Sequence, residues 1–293
     1  MGANTREIRT RIKSVKNTQQ ITRAMQMVAA AKVRRAQDRV TAAKPFSRAI
    51  AEVFRQVAGQ LPKSEFRSPL LETRPVKRVA LVVISSDRGL CGGYNANIIR
   101  SAVARHREWR DQGVEVQLIL VGQKAVNFFR HSNFPTAARF TQLPQIPTFA
   151  EAQAIAGEAQ KLFADGTVDQ VDFLYTNFRS MISLVPTKLT LLPATVPTAD
   201  ADAAPTAARA QYMFEPDAAT VMERIIPKYL ETVVYQALLE AAASELAAKM
   251  TAMSAASKNA KELAAALTLV YNKARQAAIT QEILEVVGGA NAL

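Results

Sequence analysis

One cysteine and two histidines in 293 residues leave this chain without the ligands of a zinc cluster and without a partner for an internal disulfide. A lone thiol, Cys91, fits a reducing compartment. Uncharged runs such as 140–150 and 189–199 stop well short of the ~18 apolar residues of a membrane span. The N-terminus lacks the apolar core and cleavage site of a signal peptide, so a soluble, cytoplasmic protein is expected. With 49% hydrophobic and 21% charged residues, the composition is neither disordered nor membrane-embedded, and the length fits one or two domains.

The most telling absence is of helix breakers. Lys228 to Val287 contains neither Gly nor Pro, and the run is bracketed by Pro227 and Gly288-Gly289. At 1.5 Å per residue it would span about 90 Å as one helix, too long for a compact domain to hide. Ala3 to Lys44, closed by Pro45, would span roughly 63 Å. Two such helices at opposite ends of a chain predict an antiparallel coiled coil with an intervening domain, a shape suited to transmitting force or bridging partners.

Charge is concentrated at one end. Residues 1–48 carry 12 Lys/Arg against Glu7 and Asp38, a net +10, whereas residues 217–293 carry 7 Lys/Arg against 8 Asp/Glu, a net −1; the whole chain is +12. The first helix therefore either is a solvated cationic face or meets nucleic acid, anionic lipid or an acidic protein loop. Nucleic acid is disfavoured, because no aromatic residue precedes Phe46 and no helix-turn-helix or zinc signature is present.

In the first helix Ile8, Ile12 and Val15 follow a buried-stripe spacing, but the apolar series then moves to Ile21, Met25 and Val28 on another face. Gln19, Thr22 and Gln26 occupy the old one, and Val33 and Val40 return to it. Such a shift implies irregular supercoiling or a second partner on a second side. In the last helix Leu263, Leu267, Val270, Ala274, Ala277, Gln281 and Leu284 form a heptad series, with Ile279, Ile283 and Val286 as a second apolar edge.

The middle of the chain alternates strand and helix patterns. Strands are expected at Val79–Ile84, Val116–Val121, Val171–Thr176 and Leu184–Leu192. Helices are expected around Asn97–Arg110, Lys124–His131 and Thr148–Ala164, with a Pro-rich loop leading to Pro147. The first strand is followed by SSDRGLCGGYN, Ser85 to Asn95. A Gly-rich turn between strand and helix invites a phosphate, but this spacing fits neither the dinucleotide fingerprint nor the P-loop, so a structural turn is expected. His106 and His131 form no triad pattern with Cys91, which reads as a structural thiol. Residues 197–210 are an Ala/Pro-rich connector, and Asp217 is a candidate N-cap for the last helix.

Four segments, Ile8–Gln37, Ser85–Asn95, Tyr212–Asp217 (YMFEPD) and Val270–Ala290, closely resemble the gamma subunit of the bacterial rotary, proton-transporting ATP synthase, in order and over the whole chain. The resemblance implies a mixed α+β and α/β fold, a long antiparallel coiled coil of N- and C-terminal helices with a central Rossmann-like α/β domain. It implies a division into residues 1–58, 76–193, 194–216 and 217–293: first helix, globular domain, connector with foot, and last helix. It implies a rotor without catalytic residues, cofactor or metal, on the cytoplasmic face of a bacterial inner membrane. The implied partners are the alpha and beta subunits, the epsilon subunit and the c-ring, with no nucleic acid. By the same resemblance Met25, Arg275 and Gln276 contact the catalytic head, and Tyr212 and Glu215 form the foot toward the c-ring and epsilon. The basic first helix then meets an acidic lever of the beta subunit. Two other classes, a basic coiled-coil nucleic-acid binder and a nucleotide-dependent α/β enzyme, leave the two end helices unexplained.

Overall fold

A computed structural model describes residues 2–61, 68–132, 134–197, 215 and 217–290, with side chains from residue 5 to 287 within those ranges. The chain folds into two compact units: a helical unit of residues 1–31 with 249–293, and a sheet unit of residues 32–248. Two long helices, α1 (Gly2–Gln60) and α5 (Ala218–Ala290), each contribute to both. Among the described residues no helix is long and apolar enough to cross a membrane.

The sheet unit is built on β1 (Arg78–Ile84), β2 (Glu115–Val121), β3 (Thr136–Phe140), β4 (Gln170–Phe178) and β5 (Leu184–Leu192), in the order β3-β2-β1-β4-β5. The first four strands run parallel and β5 is antiparallel to β4. The apolar run of β1 is buried on both faces, as a central parallel strand requires. Helices α2 (Tyr94–Asp111) and α3 (Gln123–Phe129) cover one face, packing Ile98, Ala102, Ala125 and Phe129 on Leu81, Val83, Leu118 and Leu120. On the other face α4 (Phe149–Ala164) places Ile155, Ala159 and Phe163 in one core with Phe54 and Val57 of α1 and Met222, Ile226 and Leu230 of α5.

Within this unit α1 and α5 are antiparallel. Val33, Ala36 and Val40 cluster with Leu239, Ala243, Leu246 and Ala247. Farther along α1, Phe54 meets Tyr229, with ring centroids 5.1 Å apart. Polar ties fix α5 to the sheet: the Ser244 hydroxyl donates to Thr176 O at 3.0 Å, and the Tyr94 hydroxyl to Ala241 O at 3.3 Å.

Four expectations change. Pro45 does not end the first helix and Pro227 does not begin the last; both lie inside helices, and the Gly288-Gly289 pair is helical too. A proline removes one N–H bond and pushes on the carbonyl four residues back. Here those carbonyls belong to Thr41 and Glu223, both exposed residues. The start of α5 instead follows Asp217, whose carboxylate accepts from Thr220 N and the Thr220 hydroxyl, both at 2.8 Å. Those donors hold the Asp217 carboxyl below its ordinary range. Finally, the loop before Pro147 contains a strand, β3.

In the helical unit, burial on α1 follows one heptad line: Ile8, Ile12, Val15, Gln19, Thr22, Gln26 and Ala29 are its less exposed positions. The inward face does not move to Ile21 and Val28, which are 60% and 56% exposed. On α5 the inward line is Met253, Ala256, Ala260, Ala264, Leu267, Tyr271 and Ala274. Of the expected heptad series only Leu267 and Ala274 face inward; Val270 and Leu284 are 54% and 65% exposed, and Leu263 is also outside. Alanine methyls let two helix backbones approach closely, so the small-residue edge turns in and the large side chains are left outside.

Candidate partner surface and the glycine-rich loop

Six cations on the first turns of α1, Arg6, Arg9, Arg11, Lys13, Lys16 and Arg23, are all exposed, and none has a carboxylate partner among the described residues. Ile21, Met27 and Val28 sit exposed on the same helix. On α5, Leu269, Val270, Ile279, Ile283, Leu284, Val286 and Val287 are exposed, and every residue from 281 to 287 faces solvent. A monomer gains nothing by presenting so many large apolar side chains, and unpaired like charges on one helix repel. Together they describe a surface made to be covered by an apolar wall with acidic groups.

Met25 is half-buried beside the α1 seam, whereas Arg275 and Gln276 are fully outward on α5. They do not form one site. Counting from the end of the unit where both helices leave it, Met25 is six residues from Ala31 and Arg275 is 26 from Lys249. At 1.5 Å per residue their levels differ by about 30 Å, so any head contacts they make are separate. Glu215 is exposed, and Tyr212 lies outside the described residues.

The loop Ser85–Asn95 is the other candidate, and its geometry accounts for its sequence. At the start of α3, where backbone N–H groups could greet a phosphate, each donor is occupied by the chain itself. Gln123 N donates to Asp87 Oδ1 at 2.8 Å, Lys124 N to Ser86 O at 3.0 Å and Ala125 N to Ser85 Oγ at 2.9 Å. The second Asp87 oxygen accepts from Leu143 N at 2.8 Å, pinning the loop that follows β3. Asn95 closes the turn, accepting from Ser86 N at 3.0 Å and donating to Ser86 Oγ at 2.8 Å and Cys91 Sγ at 3.1 Å. Cys91 is buried in that turn.

Gly122, at the end of β2, has φ +92°, and a Cβ there would lie 2.3 Å from Ser85 O. Only glycine allows this approach. Ser85 and Asp87 fall within the segment singled out from sequence, without roles of their own, whereas Gly122 was missed; the glycine closing an apolar run at Val121 was the available signal. Beside the loop lies a cavity of about 250 Å³ lined by Lys32, Arg88, Tyr94, Gln145, Leu238 and Glu245 among others. Lys32 Nζ donates to Gln145 Oε1 there at 2.5 Å.

Comparison with known proteins places these features in a family. The sequence matches the family described as ATP synthase over residues 4–293. It is 47% identical to the ATP synthase gamma chain of Gloeothece citriformis over 312 residues, covering 99% of each chain. It is 47% identical over 313 residues to that of Synechococcus elongatus, again covering 99% of each. Among solved structures it resembles a chain of the central stalk and c-ring of the Tetrahymena thermophila mitochondrial ATP synthase. There the TM-score is 0.62 and identity 26%, covering 81% of this chain and 99% of that one. A chain of the Euglena gracilis mitochondrial ATP synthase, in an assembly of OSCP, F1 and c-ring, has a TM-score of 0.70 at 18% identity. It covers 100% of this chain and 95% of that one, a likeness of fold.

Proposed function

The chain belongs to the ATP synthase family, where it matches gamma chains from end to end, and from that premise we propose how it works. It is the central rotor shaft, coupling proton-driven rotation of the membrane c-ring to ATP synthesis in the alpha/beta head, and running in reverse during ATP hydrolysis. The single observation that carries this reading is the uncovered surface of the helical unit: unpaired cations on α1 and large apolar side chains on α5. An apolar sleeve can hold such an α5 end while letting it turn, because apolar contact is non-directional. Acidic levers sweeping past α1 meet its cations in succession.

In this reading Met25 meets the acidic lever of a beta subunit, while Arg275 and Gln276 engage a beta loop about 30 Å away along the shaft. Tyr212 and Glu215 form the foot on the c-ring with the epsilon subunit. Functionally the chain divides into residues 1–58, 76–193, 194–216 and 217–293. It carries out no chemistry itself; the occupied donors at the start of α3 support that assignment, since those three N–H groups are already spent on Asp87, Ser86 and Ser85. It sits on the cytoplasmic face of a bacterial inner membrane and attaches only through the complex.

Affinity purification of the tagged chain from its native host tests the assignment. Alpha and beta subunits should come with it in the stoichiometry of an intact head. A chain recovered alone, or with nucleic acid in a salt-sensitive complex, would overturn it.

A further inference from the structure

The inward line of α1 in the helical unit is apolar at Ile8, Ile12 and Val15, polar at Gln19, Thr22 and Gln26, and apolar again at Ala29. Counted from the end where both helices leave the unit, the polar stretch lies level with α5 residues from about 254 to 261. The inward residues there are Ala256, Ser257 and Ala260, with Met253 and Ala264 to either side. Polar side chains thus face small ones, two alanine methyls and the Ser257 hydroxyl. A polar residue in a coiled-coil seam fixes register when it meets a polar mate across the interface. Alanine offers none, and no hydrogen bond joins Ser257 to Gln19, Thr22 or Gln26 among the described residues.

Thr22 answers its own need within α1. Only 9% exposed, its hydroxyl donates to Thr18 O at 2.9 Å and Gln19 O at 3.0 Å. Thr18 likewise donates back to Ser14 O at 3.1 Å. Such back-bonding to the preceding turn loosens a helix and bends it. Among the described residues no hydrogen bond joins α1 to α5 in this layer: Thr22 is satisfied within its own helix, Gln19 and Gln26 are half-exposed, and the small side chains opposite leave little apolar area to lose. The apolar layers on either side have Leu267 and Tyr271 on one hand and Met253 on the other.

We propose that Gln19, Thr22 and Gln26, with Ala256, Ser257 and Ala260, form a slip layer in which α1 and α5 shift against each other without breaking a hydrogen bond between them. Its use as a yielding element rests on the rotor reading above; its existence does not. In the rotor it lets the upper shaft lag or lead while a beta lever holds it, and the layers on either side restore the register.

Amide hydrogen exchange on the full-length chain tests the layer without the head. Residues 16–29 and 253–264 should exchange at least about tenfold faster than residues 226–246 of α5 in the sheet unit. The triple substitution Gln19→Leu, Thr22→Val, Gln26→Leu should slow exchange in those two segments by about tenfold or more and leave the sheet unit unchanged. Thr22→Val alone, which keeps size and shape, should move exchange in the same direction and guards against aggregation of the triple variant. Equal protection across both units in the wild type, or unchanged or faster exchange in Thr22→Val, would overturn the proposal. Because the assay uses the isolated chain, a failed copurification would sink the rotor assignment and leave this result standing.

Discussion

Gly122→Ala probes the close approach that shapes the glycine-rich loop. The added methyl would sit 2.3 Å from Ser85 O and 2.7 Å from both the Ser85 carbonyl carbon and its Oγ. It could not be relieved by a side-chain swing, because the first two of those atoms are backbone. Ser85 also donates through Oγ to Val121 O at 3.0 Å and caps α3 through Ala125 N, so displacing it loosens two elements. A φ of +92° costs an alanine about 1–3 kcal/mol, and forcing a methyl into a filled site costs a further 1–3 kcal/mol. A total of about 2–6 kcal/mol, at roughly 2–4 °C per kcal/mol for a unit of this size, lowers Tm by about 4–24 °C. Gly157→Ala is the control: it lies in α4 with nothing within 4 Å of the new methyl. It should be neutral or slightly stabilising by helix propensity. Thermal unfolding followed by circular dichroism reads both variants. If Gly122→Ala melts within 2 °C of the wild type, the reasoning about Ser85 and Gly122 is wrong.

Asp169 anchors the start of β1, accepting from Lys77 N at 3.0 Å and Arg78 N at 2.9 Å. Burial raises its pKa, but these N–H groups and the nearby charges of Arg78 and Arg74 outweigh that and leave it below the ordinary value. A depressed carboxyl stabilises the fold above its unfolded pKa of about 3.9 and loses that contribution as pH falls through the folded value. The drop in Tm between pH 5 and pH 2.5 should therefore be smaller in Asp169→Asn than in the wild type; an identical drop refutes the anchor. Met25→Lys should impair coupling more than assembly. A new ion pair with an acidic lever is worth about 1–3 kcal/mol, enough to slow a rotary step tenfold or more. Proton pumping per ATP hydrolysed in membrane vesicles should fall, and an unchanged ratio counts against the head contact.

The parts of the molecule legible in its sequence are those in which one periodicity dominates. The buried run of β1 could be read because a central parallel strand has no polar face. The α4 start agrees with the helix expected from Thr148, and the structure adds the reason: Glu151 Oε2 accepts from Thr148 N at 2.7 Å, a capping pair. Strand β3 was hidden: Thr136–Phe140 is a short edge strand with alternating exposure, set among prolines. The two prolines misled about helix ends because both are carried inside long helices that pack into the core of the sheet unit, so tertiary packing overrides the local cost of a proline. The inward face of α5 was misassigned because Leu263 and Val270 outweigh Ala260 and Ala264 on any hydrophobicity scale, while close helix approach favours the alanines. The exposed cations and apolar edges of the partner surface were legible, since the two-edged pattern of both end helices already asked for more than one neighbour.

The most direct test of the rotor reading is a reversible tether between the shaft and the head. Gln276 is exposed on α5, so a cysteine introduced there can pair with one introduced in the beta loop proposed to engage it. Oxidation should stop steady ATP hydrolysis by the assembled enzyme, and reduction should restore it with the catalytic sites unharmed. If the crosslink forms completely and hydrolysis continues at its former rate, the chain does not turn within the head, and it is a fixed stalk.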